Sequence, residues 1–110
     1  MRALITGGAR RVGAGIARCL AEAGYDVLIH YRSSADEAEA VAKDCRQLGV
    51  DARTVAADLA TVEGCRTVVD AVDAVDWDSL DLLVNNASAF EPRPFADTDL
   101  EHWDAMLAIN

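Results

Sequence analysis

Cysteine, positive charge and long apolar runs are all scarce in this chain, and each shortage excludes a class of protein. The cysteines are Cys19, Cys45 and Cys65. Their odd number and wide spacing argue against a disulfide frame or a zinc cluster and suit the reduced thiols of a cytoplasmic protein. No apolar run approaches the roughly 18 residues of a membrane span. The N-terminus passes at once into a strand pattern, so neither a secretory signal nor a membrane partner is expected. Ten Lys and Arg stand against nineteen Asp and Glu, a net charge of −9. That balance argues against a nucleic-acid partner and makes any local group of arginines conspicuous. There is no repeat, low-complexity tract or linker. No metal-spaced cluster, Ser/His/Asp set or paired-carboxylate site emerges. Asp70, Asp73, Asp76, Asp78 and Asp81 read as a solvated helix face and loop. His30 and His102 are placed too differently to share a site.

What is present is a globular composition, 52% hydrophobic and 26% charged in 110 residues, enough for one modest domain. Strand and helix patterns alternate from the first residues. Ala3–Thr6 reads as a strand, followed by a glycine-rich turn. A helix then carries Val12, Ile16, Cys19, Leu20 and Ala23 on one face and ends at Gly24. Asp26–Tyr31 is a strand whose Val27, Leu28 and Ile29 suit burial on both faces of a parallel sheet. Ser34 with Glu37 reads as a capping box for a second helix, which ends at Gly49. Val50–Ala56 and Leu80–Val84 read as strands flanking a helix capped by Thr61. Pro92 and Pro94 mark a loop. Thr98 with Glu101 reads as a second capping box, opening a helix with Leu100, Trp103, Met106, Leu107 and Ile109. The alternation predicts an α/β fold, a doubly wound parallel sheet of strand order 3-2-1-4. Ligands then sit beyond the C-terminal ends of the first and fourth strands.

The residues with chemistry fall at those ends. Thr6-Gly7-Gly8-Ala9-Arg10-Arg11-Val12-Gly13-Ala14-Gly15 joins a strand to a helix entered at its N-terminus. Bare backbone and free helix N–H groups there suit phosphate. The spacing is not that of G-x-G-x-x-G, so that fingerprint is not claimed. Gly13 and Gly15 also suit close helix–sheet packing. The second strand ends in His30-Tyr31-Arg32-Ser33-Ser34, where a site preferring NAD would carry an acid. Arg32 can pair with an adenosine 2′-phosphate, with Ser33 and Ser34 donating hydrogen bonds and Arg11 approaching from the glycine turn. The cofactor expected is therefore NADP(H). The plainer reading is that these arginines are solvated and Ser34 is only a cap. Asp58-Leu59 follows the third strand: either the carboxylate accepts from the adenine amino group and Leu59 packs on the ring, or Asp58 is a turn aspartate. Asn85-Asn86-Ala87-Ser88 follows the fourth strand, where two amides can tie neighbouring strands and floor a cofactor site; the plainer reading is an Asn-rich turn.

As a set these stretches resemble the short-chain dehydrogenase/reductase family. The resemblance covers all 110 residues and includes the final Asn110. Arg11 stands where the family's middle glycine usually lies, and Ser88 where a glycine usually follows Asn-Asn-Ala. With His30–Ser34 and the segment from Asn85 to Pro94, those details look like the pteridine reductase branch. The resemblance implies an NADPH-dependent oxidoreductase that reduces a pterin-like or carbonyl substrate, with a homo-oligomeric full-length form. Gly7, Arg11 and Gly13 would line the pyrophosphate and ribose. Val12 and Tyr31 would complete that wall, and Arg32, Ser33 and Ser34 would hold the 2′-phosphate. Asp58 and Leu59 would meet adenine, Asn86, Ala87 and Ser88 the nicotinamide ribose, and Phe90 a pterin slot. Asn110 would help organise the proton relay as a catalytic residue.

One part of the family pattern is missing. Tyr25 and Tyr31 have Ile29 and Ala35, not lysine, four residues on, and Lys43 is the only lysine. Without Tyr-x-x-x-Lys, hydride transfer lacks its proton donor. Residues 1–110 are therefore expected to be the cofactor-binding half of a longer enzyme, inactive alone, with the fourth strand left as an apolar edge. The rival expectation is a non-catalytic nucleotide-binding or subunit-pairing module of this length.

Overall fold

The computed structural model describes residues 1–89 and 91–110. Four parallel strands, β1 (Arg2–Ile5), β2 (Asp26–Tyr31), β3 (Ala52–Ala56) and β4 (Leu82–Val84), form one sheet in the order β3-β2-β1-β4. The helices are α1 (Arg11–Glu22), α2 (Ala35–Gln47), α3 (Val62–Ala74) and α4 (Leu100–Ile109). The doubly wound order expected from the alternation is the observed one, and it places the β1/β4 switch point beside the glycine turn.

Each face of the sheet has its own core. On one face Ala3, Ile5, Val27 and Ile29 pack with Ala14, Ala17 and Ala21 of α1 and with Ala38, Val41, Ala42 and Cys45 of α2. On the other, Leu4 and Leu28 meet Val68 of α3 and Val75. The face that α1 buries is not the one the large apolar residues mark. Gly13, Ala14, Ala17 and Ala21 are buried, Ile16 and Leu20 are partly so, and Val12 and Cys19 are exposed. A stripe of small residues lets helix and sheet approach closely, so the closest contact passes to alanine. The α3 pattern is likewise only partly inward: Val68 is buried, whereas Val62 and Val69 are exposed.

Two of the expected caps are corrected. Ser34 precedes α2, but its hydroxyl makes no capping bond, and Glu37 lies 3.6 Å from Arg10 instead. At α4 the cap is Asp99, which accepts from the His102 N–H at 2.7 Å, one residue later than the Thr98 cap expected. The Thr98 hydroxyl is engaged elsewhere, donating to the Pro94 carbonyl across a short 3-10 turn, Phe95–Asp97, that sequence patterning did not anticipate. An anionic oxygen is also favoured at a helix N-terminus. β3 and β4 begin two residues later than expected. Leu80 leaves the β4 ladder to join the core under α3. Asp81, expected to be solvated, accepts from the Arg2 N–H at 2.8 Å.

Cys45 connects α2 to α1, its thiol 3.7 Å from the Ala17 carbonyl. Burial pushes that thiol up from its ordinary range, and Arg18 opposes the shift while Asp44 adds to it. Since the thiolate is the nucleophile, Cys45 is expected to resist alkylation in the folded protein and to label only when unfolded. Mass spectrometry of iodoacetamide-treated protein checks this; native labelling of Cys45 at the rate of a free thiol would contradict the packing.

Candidate functional site

The C-terminal ends of the strands open into a cleft of about 460 Å³. Every cofactor-binding residue expected from the sequence lines it except Asp58: Gly7, Arg11, Val12, Gly13, Tyr31, Arg32, Ser33, Ser34, Leu59, Asn86, Ala87 and Ser88. Arg10, His30, Ala57 and Ile109 line it as well.

The floor is held by two side chains, those of Thr6 and Asn86. Thr6 follows β1, and its hydroxyl accepts from the N–H groups of Asn86 and Ala87, each at 3.0 Å, while donating to the Val84 carbonyl. The Asn86 side chain donates back to the carbonyls of Thr6 and Gly7 at 3.1 and 3.0 Å. Asn86 thus ties the β4 end to the glycine turn, as the strand-tying reading requires; Asn85 is exposed.

Gly7 has φ +63 and passes so close to the segment after β4 that an added Cβ would lie 2.9 Å from the Ala87 Cα. Only glycine meets both demands. Gly13 sits directly on Gly7: a Cβ there would lie 2.1 Å from the Gly7 carbonyl oxygen. The packing expected of Gly13 is present, but that expected of Gly15 is not, since nothing lies within 4 Å of a Cβ at Gly15. Arg11, in place of a glycine, holds φ 51. A non-glycine residue there is strained by about 1–2 kcal/mol.

Above this floor the N-terminus of α1 is open. Arg10 precedes the helix without a side-chain cap, and its first turn carries no acidic residue. By contrast, α3 is capped by Thr61 and α4 by Asp99. Uncapped N–H groups with the partial positive charge of the helix end are an anion site. Arg11 and Arg32 add full positive charge to the same cleft. Since Ser34 is not spent on its helix, its hydroxyl remains on the cleft wall beside Ser33.

Asp58 behaves as the turn reading expects. One carboxylate oxygen accepts from the Ala60 N–H at 3.0 Å, and the other lies 3.6 Å from the Arg32 guanidinium. Leu59 alone of that pair reaches the cleft. Asn110 also stands outside the cleft wall. Its side chain accepts from the Ala89 N–H at 3.2 Å and donates to the Ala89 carbonyl at 2.6 Å, pinning the end of α4 to the segment after β4. Phe90 lies outside the described residues.

Sequence reasoning puts His30 at the edge of the cofactor site but gives it no role. It is 3% exposed, with one ring nitrogen on the glycine turn and the other on the end of β3. Its position at the end of a buried strand facing a glycine turn was the available signal.

Comparison with known proteins agrees with this geometry. The chain is 42% identical to a short chain dehydrogenase from Burkholderia cenocepacia J2315, solved in complex with NADP, with a TM-score of 0.92 over 98% of this chain and 44% of that one. It resembles a blue fluorescent protein from a metagenomic library, solved in complex with NADPH, at 34% identity and a TM-score of 0.90, again over 98% and 44%. Among curated proteins it is 34% identical to the 3-oxoacyl-(acyl-carrier-protein) reductase FabG of Staphylococcus aureus (strain Mu50 / ATCC 700699), over 98% of this chain and 44% of that protein. The chain therefore spans less than half the length of the relatives it matches. A family model described as short chain dehydrogenase matches residues 1–110 throughout. Together with the 3-2-1-4 sheet and the glycine turn, that match shows that the chain belongs to the short chain dehydrogenase family.

Proposed function

We propose that the cleft binds NADP(H), and that residues 1–110 form the cofactor-binding half of an oxidoreductase that reduces a carbonyl or pterin-type substrate. The observation that carries the reading is the end of β2. Where a site preferring NAD would carry a carboxylate for the adenosine 2′-hydroxyl, the cleft wall has Arg32 flanked by Ser33 and Ser34. Arg11 lies on the same wall, and charge-assisted bonds from arginine to phosphate are the strong kind. The pyrophosphate would lie at the uncapped start of α1, over Gly7 and Gly13. Leu59 would flank adenine, and Asn86, Ala87 and Ser88 the nicotinamide ribose. When bound, the nicotinamide supplies the hydride.

This chain's residues bind and orient. Thr6 and Asn86 hold the floor, the α1 N-terminus neutralises phosphate charge, and Asn110 fixes the α4 end against the segment that follows Ser88. The two substrate classes rest on different supports. The curated relative named above is a 3-oxoacyl-(acyl-carrier-protein) reductase, whereas Arg11, His30–Ser34 and Ser88 support the pterin branch. Titration of the full-length protein with NADPH and with NADH, read by nicotinamide fluorescence, tests the cofactor. NADPH is expected to bind at least about tenfold more tightly, one charge-assisted hydrogen bond being worth roughly that. Equal affinity would overturn the 2′-phosphate site. Parallel assays of NADPH oxidation with a β-ketoester and with a dihydropterin separate the two substrate classes.

A further inference from the structure

We infer that His30 is a positioning residue for the cofactor: it touches no ligand but sets the glycine turn on which the phosphates rest. The inference rests on the reading of the cleft as an NADP(H) site. The Gly7 N–H donates to His30 Nδ1 at 3.0 Å, and the Gly8 N–H donates to the His30 carbonyl at 2.9 Å. His30 Nε2 lies 2.8 Å from the Ala57 carbonyl, an acceptor only, so Nε2 carries the hydrogen and Nδ1 the lone pair. The tautomer is thus fixed from the β3 end, and it is the one that can receive Gly7. His30 borders the cleft, but both ring nitrogens and the carbonyl are committed to the chain and the residue is 3% exposed, which leaves no free polar atom for a ligand.

The consequence reaches α1. The N–H of Gly7 is held by His30 and its carbonyl by Asn86, so the left-handed Gly7 residue is anchored on both sides. Gly13, in the first turn of α1, rests on that same carbonyl with no room for a Cβ. Rotating Gly7 therefore displaces the helix N-terminus. The chain from Ala57 through His30 and Gly7 to Gly13 sets where the uncapped N–H groups of α1 point. A residue without an acceptor at the Nδ1 position frees the Gly7 N–H to turn, even if the pocket stays filled.

Two amide variants of the full-length protein separate this from a purely structural role. In His30→Asn the side-chain oxygen falls where Nδ1 was and keeps the bond from Gly7. In His30→Gln the terminal amide falls where Nε2 was and keeps only the bond to Ala57. NADPH affinity is expected to stay within about threefold of wild type in H30N and to fall about tenfold or more in H30Q, the loss of one buried hydrogen bond. The melting temperatures of the two cofactor-free variants are expected to match. Equal affinities in H30N and H30Q would overturn the positioning role. A wild-type protein that binds no NADPH would instead overturn the cofactor reading beneath it. A measurement on wild type needs no variant to fold: the imidazole nitrogen-15 spectrum should show hydrogen on Nε2 and a coupling from the Gly7 amide to Nδ1. The opposite tautomer would equally overturn the inference.

Discussion

Replacing Gly13 by alanine is expected to abolish measurable NADPH binding and to destabilise the fold by about 2–4 kcal/mol, the sum of an overpacked contact and a lost hydrogen bond. The added Cβ would lie 2.1 Å from the Gly7 carbonyl oxygen, 2.9 Å from its carbon and 2.6 Å from the Asn86 amide nitrogen. None of these atoms is the yielding end of a flexible side chain. The Gly7 carbonyl is backbone, and the Asn86 amide is committed to two carbonyls. Two relaxations are open, and both damage the site. Moving α1 outward strips Ala14, Ala17 and Ala21 from the sheet, where they have no reach to spare. Rotating Gly7 breaks its bonds to His30 and Asn86 and turns the floor of the cleft. Gly15→Ala is the internal control. Nothing lies within 4 Å of its Cβ, so it should bind NADPH normally and gain about 0.5–1 kcal/mol from helix propensity. Denaturant midpoints and NADPH titrations of the two variants check the pair. Normal binding in Gly13→Ala would contradict the described contact between turn and helix.

What could be read from the sequence, and what could not, divides along a physical line. The alternation of strand and helix was legible because Val27, Leu28 and Ile29 form a buried run and because glycines and caps punctuate the chain. The 3-2-1-4 order then follows from right-handed crossovers. The cleft residues were legible because such a sheet places its ligands beyond the strand ends. The inward face of α1 was not. Periodicity weighs large apolar side chains, whereas a helix lying close against a sheet packs through alanine and glycine. The start of α4 was misplaced by one residue because Thr98 and Asp99 are both good caps and only the local turn shows which oxygen is free. The role of His30 was missed for a different reason. Its role exists only when residues 7, 30 and 57 meet, and nothing along the chain spaces those three. Asp58 was left between two readings, and its carboxylate engages the Ala60 N–H and Arg32.

That contact shapes the second large effect. Arg32→Ala is expected to weaken NADPH by roughly 10- to 100-fold while changing NADH by less than about threefold, from the 1.5–3 kcal/mol typical of a charge-assisted hydrogen bond. The Arg32 side chain is 71% exposed, so screening pulls the effect toward the lower end and makes it fall with added salt. The guanidinium lies 3.6 Å from Asp58. In the proposed site an entering 2′-phosphate would compete with that carboxylate for the same cation, and in the alanine variant Asp58 would be left as an unbalanced negative charge near the proposed phosphate position. Part of the loss in Arg32→Ala is therefore repulsion newly exposed, rather than attraction removed. Asp58→Asn isolates that part. The asparagine oxygen can still accept from the Ala60 N–H, so the turn survives, and the penalty of Arg32→Ala should be smaller in that background. Asp58→Asn alone should tighten NADPH modestly, by releasing Arg32, and leave NADH unchanged. Titrations of the four proteins with both cofactors at low and high salt complete the cycle. If Arg32→Ala lost NADPH and NADH equally, the arginine would be supporting the β2–α2 turn rather than the phosphate, and the cofactor preference would have to come from Arg11 alone.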